Sequence, residues 1–282
     1  MSGDPVALAS MLGSRPLLLL AALLGLLLVS LVLVAAVVSW VSGRSFPAVR
    51  RALVRIDPKE YLLLHATLAL ALVVAALVFV SIGESVSDAD TLVSVDLAFA
   101  SAVHRSASPL ALDVLRAFTF LGGGWALTVF AVVLFLVLLR KRKRLLAVGW
   151  AIALAGVGIL NSALKAAFLR PRPVLDPPHE LAAGWSFPSG HSMGTFVAAG
   201  MVAYLALLSA RTRPRGWLIV AAASAWTLAM GFSRLYLGVH FLTDVVGGFA
   251  AGTVWLAACV SGIEIARRAS GSPLAERGGL GG

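Results

Sequence analysis

Long apolar runs, divided by short basic or turn-forming stretches, occupy residues 17–42, 61–83, 118–139, 145–168, 192–210, 216–236 and 240–264. Each is about 20 residues, the length at which a helix crosses a ~30 Å hydrocarbon layer with its backbone polar groups satisfied internally. The pattern predicts an all-α membrane protein of about seven transmembrane helices, a six-helix core preceded by one extra N-terminal helix. The expected domain limits are 1–60 for that first helix and a cytoplasmic connector, 61–266 for the core and 267–282 for a disordered Gly- and Ser-rich tail. No convincing cleavage site follows the first run, which therefore reads as a retained helix. Residues 84–117 mix small, apolar and polar positions at near-helical spacing and are expected to lie in the interface. The run Gly122-Gly123-Gly124 permits a bend at the mouth of the third span.

Composition supports this reading. The chain of 282 residues is 60% hydrophobic and 13% charged, with a mean hydropathy of +0.95, against about 45–50% and about 25% in soluble domains. The lone cysteine, Cys259, excludes an intramolecular disulfide and reads as a packed thiol. The net charge of +10 raises the question of nucleic acid, but the basic residues are sorted by side. With seven spans, sixteen of the 23 fall on one face, in 44–59, in "RKRKR" at 140–144, in "RTRPR" at 211–215 and in the C-terminal segment. That face is expected to be cytoplasmic. The charge is a topology signal, and no nucleic-acid partner is expected.

The opposite face holds fewer basic residues, but topology does not explain them. Three stretches emerge there: "KAAFLRPRP" at 165–173, "FPSGH" at 187–191 and "SRLYLGVHFLTD" at 233–244. Ionisable groups at membrane depth point to function. Lys165 and Arg172, at a proline-stiffened helix exit, supply a point charge and a planar fork for an anionic oxygen cluster. Ser189 is a predicted N-cap, and a helix N-terminus approached through Gly190 is a ready anion site. His240 and Asp244 are four apart and are expected to share a helix face, so that Asp244 accepts the Nδ1 proton and leaves the Nε2 lone pair exposed. With Arg234 in the charge clamp and His191 as proton donor, these groups meet the requirements of phosphoryl transfer through a histidine. No constellation demands a metal.

At these residues the chain resembles the type 2 phosphatidic acid phosphatase family, whose fold is shared with glucose-6-phosphatase and the vanadium haloperoxidases. The family pattern is K-x6-R-P, then P-S-G-H, then S-R-x5-H-x3-D. Here it reads Lys165 to Arg172-Pro173, Pro188-Ser189-Gly190-His191, and Ser233-Arg234 to His240 to Asp244, with no departure. The resemblance covers about residues 61–264. It implies that His240 forms a phosphohistidine, that Asp244 orients it, and that His191 is general acid and then base. Lys165, Arg172, Ser189, Gly190 and Arg234 would bind phosphate. It also implies no cofactor, an outward-facing site, and a phosphorylated membrane lipid as substrate: undecaprenyl diphosphate first, phosphatidylglycerol phosphate or phosphatidic acid as alternatives. Such an enzyme would sit in the plasma membrane and serve lipid metabolism and the cell envelope.

Other readings of single residues stand beside these. His240 and Asp244 can be a structural pair between helices, and His191, His240, Asp244 and His179 can ligate a metal, which three nearby cations oppose. Ser189 lacks the G-x-S-x-G elbow of a serine hydrolase. Arg170 reads as a surface or headgroup contact, His65 and His104 as packed or solvated, and His179 and Glu180 as loop residues. Trp185 and Phe187 read as interfacial anchors. A carrier that holds a phosphorylated lipid without turnover is the competing function.

Overall fold

The computed structural model describes residues 4–43, 58–87, 91–209 and 213–269. Among them are ten helices and no strand: α1 (Pro5–Gly13), α2 (Pro16–Gly43), α3 (Pro58–Ser87), α4 (Thr91–Ser106), α5 (Pro109–Phe120), α6 (Gly124–Arg140), α7 (Arg144–Phe168), α8 (Gly190–Leu207), α9 (Arg213–Tyr236) and α10 (Leu242–Ala269). Proline opens α1, α2, α3 and α5, where its fixed φ suits the first turn and its missing N–H is not needed. Side-chain caps add to this: Asp4 accepts the Val6 amide at 3.0 Å and Ser108 accepts the Ala111 amide at 3.3 Å.

Five stretches are long and apolar enough to cross a membrane: Pro109–Arg140, Arg144–Phe168, Gly190–Leu207, Arg215–Tyr236 and Leu242–Arg267. Two further pairs reach that length only as bent units. Pro5–Gly13 and Pro16–Val29 meet at 96°, and Leu72–Val86 and Thr91–Ser106 at 89°. Counting each bent pair once brings the total to seven, so the chain is a multi-pass membrane protein. Trp125, Ile159 and Leu218 stand exposed on these spans, as side chains solvated by lipid do. The connector at 44–57, the first two residues of "RTRPR" and the tail from 270 lie outside the described residues, as does the His65 side chain.

The segment 84–117 departs from expectation. It does not lie flat as one interfacial stretch. α4 packs against one end of the bundle and buries Asp96, Phe99, Ala100, Ala102 and Val103, while α5 runs on into the span of α6. The reason lies at the chain start, which hydropathy alone did not resolve. α1 packs along α4, Ser106 Oγ donates to the Gly13 carbonyl at 3.1 Å, and a Cβ at Gly13 would sit 2.7 Å from the Phe99 carbonyl oxygen. α2 then leans on α9.

Two apolar clusters order the bundle. One joins α7, α8 and α10 around Trp150, Met193, Val197, Met201 and Ile263, with Cys259 packed at its edge. Because lipid tails are as apolar as leucine, tight fit holds these helices together rather than transfer from water. Gly156 sits directly on the Trp255 ring, and Trp255 Nε1 donates to the Ala153 carbonyl at 2.9 Å. The second cluster gathers Phe99, Val103, Phe232, Tyr236 and Val239 at one end of the bundle. It is the platform on which the polar groups sit.

Candidate active site

The three polar stretches meet at one end of the bundle, where α7 and α9 finish and α8 and α10 begin. The chain leaves α7 through Leu169, in the left-handed region at φ 48°, and Arg170 and Arg172 turn inward. The return segment runs antiparallel for a short distance, with the Ser186 amide donating to the Arg170 carbonyl at 2.8 Å. Ser189 caps α8, accepting the Ser192 amide at 3.4 Å, and its own amide donates to the Asp244 carbonyl at 2.9 Å. α10 can come this close because Gly248 has no side chain: a Cβ there would lie 2.8 Å from the Ser189 carbonyl oxygen. Between α9 and α10 the chain reverses at Gly238, whose φ of +71° is open to glycine at no steric cost.

His240 is therefore on this turn and not on a helix face, which corrects the expectation from its spacing to Asp244. The pair forms all the same. His240 Nδ1 lies 3.2 Å from Asp244 Oδ2, and both side chains are buried. Asp244 is in the first turn of α10, where it also accepts the Phe241 amide at 2.8 Å and the Ser186 hydroxyl. With His240 Nδ1–H donating to Asp244, Nε2 carries the lone pair, and Arg172 Nη1 donates to it at 3.2 Å. Burial pushes the His240 imidazole down to about 4, Asp244 opposing that shift while Arg172 and Lys165 add to it.

The cations surround this histidine. Arg172 is fixed by backbone carbonyls: Nη1 donates to Val239 at 2.7 Å, Nε to Gly184 at 3.0 Å and Nη2 to Ala183 at 3.1 Å. Burial, then the Arg234 charge, hold its guanidinium below the usual range. Lys165, in the last turn of α7, donates to the Trp185 carbonyl and, at 3.2 Å, to that of Ser186. Arg172 Nη2 reaches the same Trp185 oxygen at 3.3 Å, so the two cations converge as the sequence indicated. Arg234, buried near the end of α9, donates to Thr119 Oγ1 at 2.8 Å and pairs with Glu180 at 3.3 Å. Its Nε has no hydrogen-bond partner among the described residues. His191 is in the first turn of α8 beside Gly123, and Arg234, His240, Arg172 and Lys165 are the groups whose charge acts on it. Gly190 packs against Asn161.

Several neighbours of the site were read differently from the sequence. Arg170 is not a headgroup contact: it is 6% exposed, donating to Asp244 Oδ1 at 2.6 Å and to Asp96 Oδ2 at 2.8 Å. Glu180 is more than a loop residue, since it meets Arg234. Phe187 is not an interfacial anchor but fully buried, its ring 4.8 Å from Phe168 and 5.5 Å from Phe79; Trp185 is exposed. His179 stacks on His104 with centroids 3.9 Å apart, and burial and His104 keep it below the usual histidine range. Asp96 and Ser186 were missed altogether. Asp96 carried a signal, as the one acidic residue of an otherwise apolar and small-residue helix that ends in His104-Arg105; Ser186 carried none.

An apolar groove of about 550 Å³ opens between α6 and α7. Leu127, Phe135, Trp150 and Leu154 line it, and Gly190 and His191 close its upper end. No cluster of three or more His, Cys, Asp or Glu side chains suited to a metal occurs among the described residues.

Residues 144–268 match the model of the PAP2 superfamily. Phosphatidylglycerophosphatase B of Bacillus subtilis (strain 168) is 40% identical over 100 residues, 33% of this chain and 46% of that protein. Undecaprenyl-diphosphatase BcrC of the same organism is 30% identical over 138 residues, 46% of this chain and 65% of that protein. The chain thus matches between about half and two thirds of the length of these relatives. Among solved structures, the transmembrane PAP2 type phosphatidylglycerolphosphate phosphatase from Bacillus subtilis superposes with a TM-score of 0.63 at 28% identity, covering 70% of this chain and 98% of that one. The motif-bearing helices and the superposition agree with that match: residues 144–268 of this multi-pass membrane chain are similar to the PAP2 superfamily.

Proposed function

We propose that the chain is an integral membrane lipid phosphatase that works through a phosphohistidine, at the outer face of the plasma membrane. The observation that carries this reading is the His240 ring, held at Nδ1 by Asp244 and facing Arg172 with Nε2. In the first step the Nε2 lone pair attacks the terminal phosphorus, the bond from that phosphorus to the oxygen linking it to the rest of the lipid breaks (the P–O–P bridge of a diphosphate, which leaves as the lipid monophosphate), and His191 gives its proton to the leaving oxygen. In the second, His191 takes a proton from water as the water oxygen attacks phosphorus, and inorganic phosphate leaves from a neutral His240. Lys165, Arg172, Arg234 and the N-terminal amides after Ser189 and Gly190 stabilise charge on the equatorial oxygens. The unpartnered Arg234 Nε–H suits that role.

Undecaprenyl diphosphate is the leading substrate. The groove between α6 and α7 ends at His191 and Gly190, an apolar path that suits a long prenyl tail with its phosphate among the cations. A phosphatidylglycerol phosphate substrate is the second reading, favoured by the 40% identity to phosphatidylglycerophosphatase B. The outer-face placement rests on the sorting of basic residues, sixteen of 23 on the opposite side.

The test is phosphate release by purified protein in detergent with EDTA, wild type against His240→Ala, over undecaprenyl diphosphate, phosphatidylglycerol phosphate and phosphatidic acid. The expected result is release by wild type and a loss of at least about a thousandfold in the variant, with the diphosphate turned over fastest. Folded wild-type protein that binds these lipids and releases no phosphate would establish the carrier instead.

A further inference from the structure

Behind the Asp244–His240 pair lies a chain of buried charge. Asp244 Oδ1 accepts from Arg170 Nη1 at 2.6 Å, and the other arm of the same guanidinium, Nη2, donates to Asp96 Oδ2 at 2.8 Å. Thr243 closes the loop: its hydroxyl accepts from Arg170 Nη1 at 2.8 Å and donates to Asp96 Oδ2, and its amide donates to Asp96 Oδ1 at 3.1 Å. All three charged side chains are buried, Asp96 and Asp244 with no exposure. Arg170 also lies over the Phe241 ring, 4.3 Å from its centroid. Residues from α4, the α7 exit and the start of α10 are thereby tied together behind the histidine.

Charge balance makes this more than a clamp. Both carboxylates accept at both oxygens, the pattern of ionised acids, and an arginine cannot lose its proton in a protein. If Arg170 faced Asp244 alone, it would cancel the negative charge that supports His240 when the ring becomes cationic. Asp96, on the far side of the guanidinium, draws that cation back and leaves the group of three with a net charge of −1. A buried ion of either sign without its partner is strongly unfavourable, so each member depends on the other two.

We propose that Arg170 and Asp96 are positioning residues that set the strength with which Asp244 orients and supports His240. This rests on the phosphohistidine reading. The charged groups acting on His240 from the other elements are Lys165, Arg172 and His191. None of them is altered by the test, so a change at His240 reports on the charge behind it.

The experiment compares wild type, Asp96→Asn, Arg170→Gln and the double variant, each 15N-histidine-labelled in detergent micelles. His240 is assigned by the signal lost in His240→Gln and titrated with pH. Asp96→Asn takes the net charge behind His240 from −1 to 0 and is expected to lower its titration midpoint. Arg170→Gln takes it towards −2 and is expected to raise it. The double variant restores −1 and is expected to return between them. Steady-state kinetics on the turned-over lipid should show kcat reduced about tenfold in each single variant, with KM little changed and part of kcat regained in the double. Should Arg170→Gln fail to fold, Asp96→Asn against the double variant carries the same contrast. Midpoints that stay put, or that move the same way in both single variants, would reduce the trio to a structural tie. Opposed midpoints in a wild-type protein that hydrolyses no lipid would instead leave the positioning intact and sink the phosphatase.

Discussion

The two ends of the helical core handle buried charge in different ways. At the end away from the site, Tyr204 donates to Glu264 at 2.5 Å, and Arg267 reaches the same carboxylate at 2.5 Å from three residues along α10. One acid meets one base within a single helical turn, and both remain partly exposed, at 14% and 19%. At the site end, Arg170 pairs with Asp96 and Asp244 across 74 residues of sequence each, and two further cations, Arg172 and Lys165, act on one histidine. The first arrangement is locally neutral and does what a tie between neighbouring helices does. The second keeps an excess of positive charge on one side of His240 and negative charge on the other, a separation that is costly unless an anion is to be bound.

Several measurements would break or sharpen that contrast. The largest effect is expected at the clamp: Arg234→Met should lower kcat/KM by at least about a hundredfold, the loss typical of one donor aimed at developing charge, as read by phosphate release. Next comes pH. His240 is pushed down to about 4 by burial, so the nucleophile stays neutral well below the ordinary histidine range, and the acid limb of kcat/KM should lie nearer pH 4 than 6.5. The same depression has a stability consequence. Between 6.5 and about 4 the unfolded chain takes up a proton that the folded chain refuses, so folded stability rises with pH across that window and is lost as pH falls through it; thermal unfolding in detergent at several pH values would show this. Glu180→Gln should have a smaller effect. Glu180 is partly exposed and would compete with phosphate for Arg234, so its neutralisation should lower KM about two- to fivefold, the scale of a solvent-accessible ion pair. The smallest effect on turnover belongs to the other end. Tyr204→Phe should leave kcat/KM within about twofold and remove about 1 kcal/mol of stability, seen as a lower unfolding temperature with unchanged phosphate release.

The same contrast explains what could be read in advance. The Glu264–Arg267 tie is an i,i+3 pair on a predicted span, visible to anyone who reads helical spacing. Lys165, Arg172, Ser189, Gly190, His191, Arg234, His240 and Asp244 stand out because each sits in a short motif beside a span end. Arg170 lies two residues from Arg172 and was set aside, since two adjacent arginines at a helix exit look alike in sequence. The fold sends one side chain to the carbonyls around His240 and the other beneath Asp244.

What the sequence determined by itself was that the chain is a bundle of long apolar helices, and which residues are candidates to hold and attack a phosphoryl group. Those are properties of single residues and of neighbours a turn apart, because solvation by lipid and helical periodicity act locally. Only the tertiary structure decided that α1 covers α4, that His240 sits on a turn opened by Gly238, that Glu180 meets Arg234, and that Asp96 shares Arg170 with Asp244. These depend on which helices touch and at what depth. A buried guanidinium takes whatever carboxylates the packing brings within 3 Å, from any distance along the chain.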